Sequence, residues 1–403
     1  MAKCATPSWL NNIFLETALR SGEVDPTIMV ISSSIQPATA SGDNYLSEMF
    51  RVTVKMTRGD HREERSLIVK VEPKKEQMLK IAEKGNIFDL EARVYRDVIP
   101  AMYRLLERSA PGEFQPFGAR YFYSHKGMPA TVVVLEDLKK LGFTMGDRTH
   151  GLNMDHCLLV MRTLARFHAT SVVMHERDPD CFKPFMETIY RDEMKEHLGG
   201  FFISNVKNFA EEVRKWPDHS SLAEKIKNIG EHSMDYWTKA IQRDDEGFNV
   251  LSHGDLWLNN MMFRYSDDTG DVEDIRFVDF QLTYWTSPTV DLLYFLNSSP
   301  HIDIADKIDV CVEEYHKTLG ETLAMFGYGH LHPSLDYLHK ELQKRATFGV
   351  ISGIAIRTVV MVDRTHIPDM DKVILGKEKV KFSESYKMVM EKLLPFYKDK
   401  GWL

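Results

Sequence analysis

Cysteine is scarce in this 403-residue chain and nowhere paired: Cys4, Cys157, Cys181 and Cys311 are dispersed, with no CxxC and no histidine-rich neighbourhood. That pattern argues against a disulfide frame and a Cys/His zinc site, and fits reduced thiols inside a cell. Excess positive charge is missing too. The net charge is -8, whereas a phosphate backbone calls for clustered Lys and Arg, so no nucleic-acid partner is expected. A nucleotide such as ATP needs only a few local cations and Mg²⁺, and is not excluded. Long apolar runs are lacking as well. The most apolar stretch, Phe348 to Val362, contains Ser352, two glycines and Arg357, and falls short of the roughly 20 apolar residues that cross a bilayer. It reads as a buried core helix. No apolar run follows the first seven residues, so neither a signal peptide nor a membrane span is expected, and the chain reads as cytoplasmic. Internal repeats and low-complexity segments are absent.

What is present is the composition of a globular protein, 43% hydrophobic and 27% charged. The length calls for two lobes or one elaborated domain. A helix is expected from Pro7 to about Leu19. Ser41-Gly42-Asp43-Asn44-Tyr45 forms a turn cluster. Strands follow at Met49 to Val54 and Ser66 to Val71, joined by a polar hairpin loop at His61-Arg62-Glu63-Glu64. Ile87, Leu90, Glu91, Val94 and Tyr95 recur at helical spacing, and Pro100 closes that segment. Ala130 to Leu135 reads as a buried strand. The charged Glu136-Asp137-Leu138-Lys139-Lys140 breaks the pattern, which makes it the candidate connection between lobes. Beyond it the chain turns mainly helical, apart from a strand-rich patch at Val250 to Phe280. The expected fold class is therefore α+β, with residues 1–138 as a sheet-based N-lobe and 139–403 as a helical C-lobe.

The strongest chemical signal is Ser252-His253-Gly254-Asp255-Leu256-Trp257-Leu258-Asn259-Asn260, followed by Ile275-Arg276-Phe277-Val278-Asp279-Phe280-Gln281. Phosphoryl transfer needs a carboxylate beside the attacking hydroxyl and ligands for Mg²⁺ on the phosphates. An aspartate with an asparagine five residues on supplies both, because the amide oxygen of Asn260 is a hard ligand. Asp279 follows an apolar strand, which places its carboxylate at a strand end. Taken singly, each is also an ordinary turn or strand-end aspartate. Taken together, they match a kinase catalytic loop and metal site.

In these motifs the chain resembles the aminoglycoside phosphotransferase and choline kinase superfamily, and within it the ecdysteroid kinase-like proteins of insects. The resemblance runs from about Ser41 to the C-terminal helices. It is carried in order by Gly42 to Tyr45 with Ser47, Ile68-Val69-Lys70, Glu91, Leu135 to Leu138, Leu164 to Ala169, His253 to Asn260, Val278 to Gln281, and Asp291. Gln281 and Gly254 stand where protein kinases carry glycine and arginine, and both point to the small-molecule branch.

The resemblance implies a two-lobed protein-kinase-like fold that binds ATP between its lobes and transfers phosphate to a small-molecule hydroxyl. In it Asp255 would align the acceptor and take its proton, while Asn260 and Asp279 hold Mg²⁺. Lys70 would contact the α- and β-phosphates and pair with Glu91, although Glu83 and Asp89 lie on the same segment, and an edge-strand lysine reaching water is the alternative. Asn44 and Ser47 would cover the phosphates, and the backbone of Glu136 and Leu138 would bind adenine. Asp291 would hydrogen-bond the catalytic loop or cap its own helix. His168 reads as a satisfied core residue, and His253 as a buttress of the loop. Trp257, Tyr284 and Trp285 fit pocket lining and core packing alike. The acceptor is expected to be an ecdysteroid or another lipophilic alcohol, with choline- or aminoglycoside-like cations and a non-catalytic ligand-binding role as alternatives. Its pocket is expected from Pro184 to Asp245 and the helices after Val290.

Overall fold

The computed structural model describes residues 6–38, 46–187, 195–362, 369, 372, 373 and 375–403. The chain forms two compact units, Met1–Pro100 with Gly118–Thr144, and Ala101–Phe117 with Met145–Leu403. The fold is α+β: the first unit is built on an antiparallel sheet and the second mainly on helices.

In the sheet unit, α1 (Asn12–Glu23) starts at Asn11, whose side chain accepts the N–H groups of Ile13 and Phe14 at 3.0 and 3.2 Å. Strands β1 (Ile28–Pro37), β2 (Glu48–Arg58) and β3 (His61–Val71) follow, then helices α2 (Glu76–Lys84) and α3 (Ile87–Arg93). The chain then passes through α4 (Ile99–Ser109), which from Ala101 on belongs to the helical unit, and returns with β4 (Tyr121–His125) and β5 (Val132–Glu136), giving the sheet order β1-β2-β3-β5-β4. Alternation sorts the side chains by face. Phe50, Val52, Val54 and Met56 of β2 and Leu67, Val69 and Val71 of β3 join Leu15, Ala18 and Leu19 of α1 in one core. Lys70 therefore points to the other face, opposite Val133 in the ladder.

Two features depart from the sequence expectation. The β2–β3 turn is Gly59-Asp60, with Arg58 opposite His61, so His61 to Glu64 belong to β3 rather than to a loop. That end of the hairpin runs past the core, where charged residues stay solvated in strand conformation. Strand β1 carries the polar run Ser32-Ser33-Ser34 and gave no strand signal. It is an edge strand, paired with β2 only and bulged between Val30 and Ser32.

The helical unit contains α5 (Met154–Arg177), α6 (Lys195–Val213), α7 (Ala223–Glu231), α8 (Ser233–Ile241), α9 (Thr289–Ser298), α10 (Ile308–Met325), α11 (Leu335–Lys344), α12 (Ala346–Val360) and α13 (Glu384–Asp399). Among the described residues only α5 is long and apolar enough to cross a membrane, and 72% of its apolar window is buried. The apolar α12 lies buried almost throughout and packs on α9. A Cβ on Gly349 would stand 2.8 Å from the Asn297 amide nitrogen, so a glycine there lets the two helices close. Arg357 of α12 donates to Asn297 O at 2.6 Å and Pro300 O at 3.0 Å, placing a cation on one carbonyl in the last turn of α9 and one just past its end.

Two short strand pairs lie among these helices. Strand β6 (Val250–Ser252) pairs with β9 (Tyr284–Thr286), and β7 (Met261–Tyr265) pairs with β8 (Val272–Phe277), both antiparallel. The loop from β6 to β7 is thus held at both ends beside the loop from β8 to β9.

Candidate active site

On the face of β3 opposite the α1 core, Lys70 Nζ lies 2.7 Å from Glu91 Oε2, with the two side chains 4% and 1% exposed. A buried lysine needs such a partner, since burying an unpaired charge is costly. Helix α3 selects Glu91: Asp89 is taken by Arg93 at 2.8 Å, and Glu83 is exposed. Phe88, one turn earlier, places its ring 5.9 Å from Lys70 Nζ. Ser47 is buried just before β2, whereas Asn44 and the rest of the turn cluster lie outside the described residues.

At the end of β5, the Glu136 N–H donates to Arg120 O at 2.9 Å, and Leu138 O accepts from Phe143 N–H at 3.1 Å. The residue between them belongs to the charged break and to the Leu135 to Leu138 stretch of the resemblance, and its side chain carries a role that neither reading gives it. Asp137 is buried and accepts from Arg51 Nε and Ser66 Oγ, both at 2.7 Å. Burial opposes its ionisation, and the Arg51 and Ser66 hydrogen bonds outweigh that, holding the carboxyl below the usual range.

In the helical unit the two loops are stitched together. The Val278 N–H donates to Asn260 O at 3.0 Å, and His253 Nε2 meets Val278 O at the same distance. A carbonyl only accepts, so Nε2 carries the proton, and Nδ1 is left to accept the Asp255 N–H at 3.4 Å. Burial pushes the His253 pKa down. The buttressing role read from sequence is what this geometry supplies.

Asp255 sits partly buried on the first loop with separate donors on its two oxygens. Asn260 Nδ2 donates to Oδ2 at 2.9 Å, and the Tyr294 hydroxyl donates to Oδ1 at 2.7 Å. Burial and the nearby Asp279 charge push its carboxyl up to about 7, against these hydrogen bonds. Asp279 opens the second loop at φ 68°, a left-handed conformation uncommon for a side-chain-bearing residue. Strain of that kind gathers at functional sites.

Behind the loop stands Asp291 in the first turn of α9. Its carboxylate accepts the N–H groups of His253 and Gly254 at 2.7 and 2.9 Å, and His168 Nε2 lies 3.1 Å away. The other ring nitrogen of His168 meets the Tyr315 hydroxyl at 2.8 Å. Asp291 thus bonds the loop that carries Asp255, and His168 is a fully buried core residue with both nitrogens partnered. Tyr294, one turn further along α9, escaped the sequence reading because a lone tyrosine in an apolar helix looks like core.

Among the described residues no three His, Cys, Asp or Glu side chains form a metal cluster. Mg²⁺ does not require one, since it takes one or two protein oxygens along with phosphate oxygens and water. Asn260 and Asp279 fit that demand. The Asn260 nitrogen is spent on Asp255, which leaves its amide oxygen as the group for a cation.

The aromatics flagged in sequence, Trp257, Tyr284 and Trp285, are all buried. Trp285 stacks on His175 at 4.5 Å and on Phe182 at 5.2 Å. It also lines a cleft of about 600 Å³ with Met186, Arg243 and Asn249. That cleft and Asp255 lie beyond opposite ends of β6.

The model of the ecdysteroid kinase-like family matches residues 41–328. No curated protein matches the chain. The solved structures to which the chain is similar include two of aminoglycoside 2'-phosphotransferase-IIIa in complex with GDP. A mutant form has 13% identity and a TM-score of 0.40, covering 97% of this chain and 100% of its own. The wild type has 12% identity and a TM-score of 0.39, covering 97% and 99%.

Proposed function

The chain belongs to the ecdysteroid kinase-like family, which supports small-molecule phosphotransferase activity, and on that premise we propose that it transfers the γ-phosphate of ATP to a hydroxyl of a lipophilic alcohol such as an ecdysteroid. The single observation that carries this reading is the stitched pair of loops, with Asp255 on one and Asp279 on the other. The acceptor hydroxyl gives its proton to Asp255 as its oxygen bonds to the γ-phosphorus, and the bond to the β-phosphate oxygen breaks to release ADP. An Asp255 carboxyl raised by burial suits a proton acceptor near neutral pH. Asn260 and Asp279 would hold Mg²⁺, which neutralises phosphate charge when bound. Lys70, oriented by Glu91, would bind the α- and β-phosphates, with Ser47, Asn44 and the backbone of Glu136 and Leu138 assigned to nucleotide contacts by the family resemblance. Most of the rate would come from positioning and charge stabilisation.

The test is incubation with Mg²⁺ and ATP across hydroxylated steroids, phenols and amino alcohols, read by mass spectrometry as a gain of phosphate. Asp255→Asn should keep the fold and nucleotide affinity while lowering kcat by about 10²- to 10⁴-fold. Near-wild-type kcat in the folded variant would overturn the catalytic assignment.

A further inference from the structure

We infer that Tyr294 is a positioning residue for this transfer, holding the Asp255 carboxylate in the orientation that receives the acceptor's proton. The inference rests on the phosphotransferase reading above. The torsion that swings an aspartate carboxylate is soft and broad, so Asp255 needs an external restraint. Two donors on separate oxygens supply one, and the Tyr294 hydroxyl at 2.7 Å is the shorter. The phenol donates a hydrogen bond without bringing a positive charge, so Asp255 is held without forming an ion pair.

The hydroxyl is itself held rigidly. Tyr294 is 4% exposed. Its ring meets Trp237 of α8 edge-on at 6.0 Å and Phe348 of α12 at 6.3 Å. Trp237 is wedged in turn between Phe348 at 4.4 Å and Phe202 of α6 at 4.0 Å. Residues three apart share a helix face, so Asp291 and Tyr294 reach the same loop from adjacent positions on α9. Asp291 fixes the backbone of His253 and Gly254, and Tyr294 fixes the side chain that follows. One helix, tied at its far end by Arg357, thereby sets both the loop and its carboxylate.

Tyr294→Phe tests this, because it keeps the ring packing and removes only the hydroxyl. With the panel member that gains most phosphate, kcat should fall about 10- to 100-fold. KM for Mg-ATP and for the acceptor should stay within about two-fold, since neither contacts Tyr294 in this reading. In an Asp255→Asn background the same substitution should cost nothing further, because the group it positions is gone. Wild-type kcat in Tyr294→Phe would overturn the inference while leaving the phosphotransferase reading intact. A loss of equal size in the Asp255→Asn background, or KM values rising along with a falling melting temperature, would overturn it in favour of a structural role. If the wild type transfers phosphate to no member of the panel, the phosphotransferase reading falls and the role of Tyr294 with it.

Discussion

The Gly254 N–H reaches Asp291 Oδ1 at 2.9 Å from a backbone held at φ 80°, where an added Cβ would run into the Leu282 carbonyl oxygen. Glycine in the His-Gly-Asp motif is thus a steric requirement of this loop. A side chain would break the contact with Asp291 and part the two loops that carry Asp255 and Asp279.

Gly254→Ala should therefore be severely damaging. The left-handed backbone alone costs about 1–2 kcal/mol for a residue with a Cβ, and the clash with backbone adds to it. Thermal unfolding should show a clear drop in melting temperature. An unchanged melting temperature would mean that the loop can relax in a way this packing does not permit.

A second prediction concerns Asp137, which ties Arg51 and Ser66 at the end of the sheet. Removing one partner of a buried pair leaves the other uncompensated, typically at about 3–5 kcal/mol. Arg51 retains some exposure, which places Asp137→Asn at the low end of that range. The folded pKa is depressed, so the contribution is complete above the unfolded value of about 3.9 and is lost as pH falls through the folded value. Wild type and Asp137→Asn should differ in urea unfolding by a constant amount above about pH 5, and converge below pH 4. A gap that widens on acidification would contradict the assignment.

The metal assignment makes a third. Asp279 would give Mg²⁺ a full charge and Asn260 only a dipole. Asp279→Ala should accordingly abolish metal-dependent nucleotide binding, and Asn260→Ala should weaken it less. Calorimetric titration with ATP, with and without Mg²⁺, measures this directly. If both variants bind Mg-ATP like wild type, the cation is held elsewhere.

How far the sequence led depends on how local each signal is. His253-Gly254-Asp255 with Asn260 reads easily because the chemistry falls within eight consecutive residues. Lys70 and Glu91 were legible as a buried charge that needed a partner, and helix α3 then chose among three acidic candidates. Tyr294 and Asp137 were hidden because their partners are distant in sequence: Tyr294 meets Asp255 39 positions earlier, and Asp137 meets Arg51 86 positions earlier. Nothing in either local pattern announces such a pairing. Strand β1 was missed for another reason. Half of an edge strand faces water, so polar serines are tolerated there and the period-two signal fades.

The last prediction concerns the acceptor. Segments absent from the nucleotide and metal motifs, from Pro184 to Asp245 (of which 188–194 lie outside the described residues) and in the helices after Val290, are proposed to build the acceptor pocket. Parts of both already pack together behind the tyrosine that holds Asp255, with Trp237 edge-on to the Tyr294 ring and Phe348 beside it. A sterol-sized alcohol would gain affinity mainly by burying apolar surface, at about 25 cal/mol per Å², with few polar anchors. Hydroxylated steroids should therefore be phosphorylated more efficiently than choline or aminoglycosides. Their KM should hardly change with salt, because no ion pair is broken, whereas a cation held by carboxylates would bind less tightly as screening increases. Measuring kcat/KM for both acceptor classes at low and high salt decides the matter. Phosphate gain confined to cationic amino alcohols, with a KM that climbs with salt, would overturn the choice of acceptor and leave phosphoryl transfer standing.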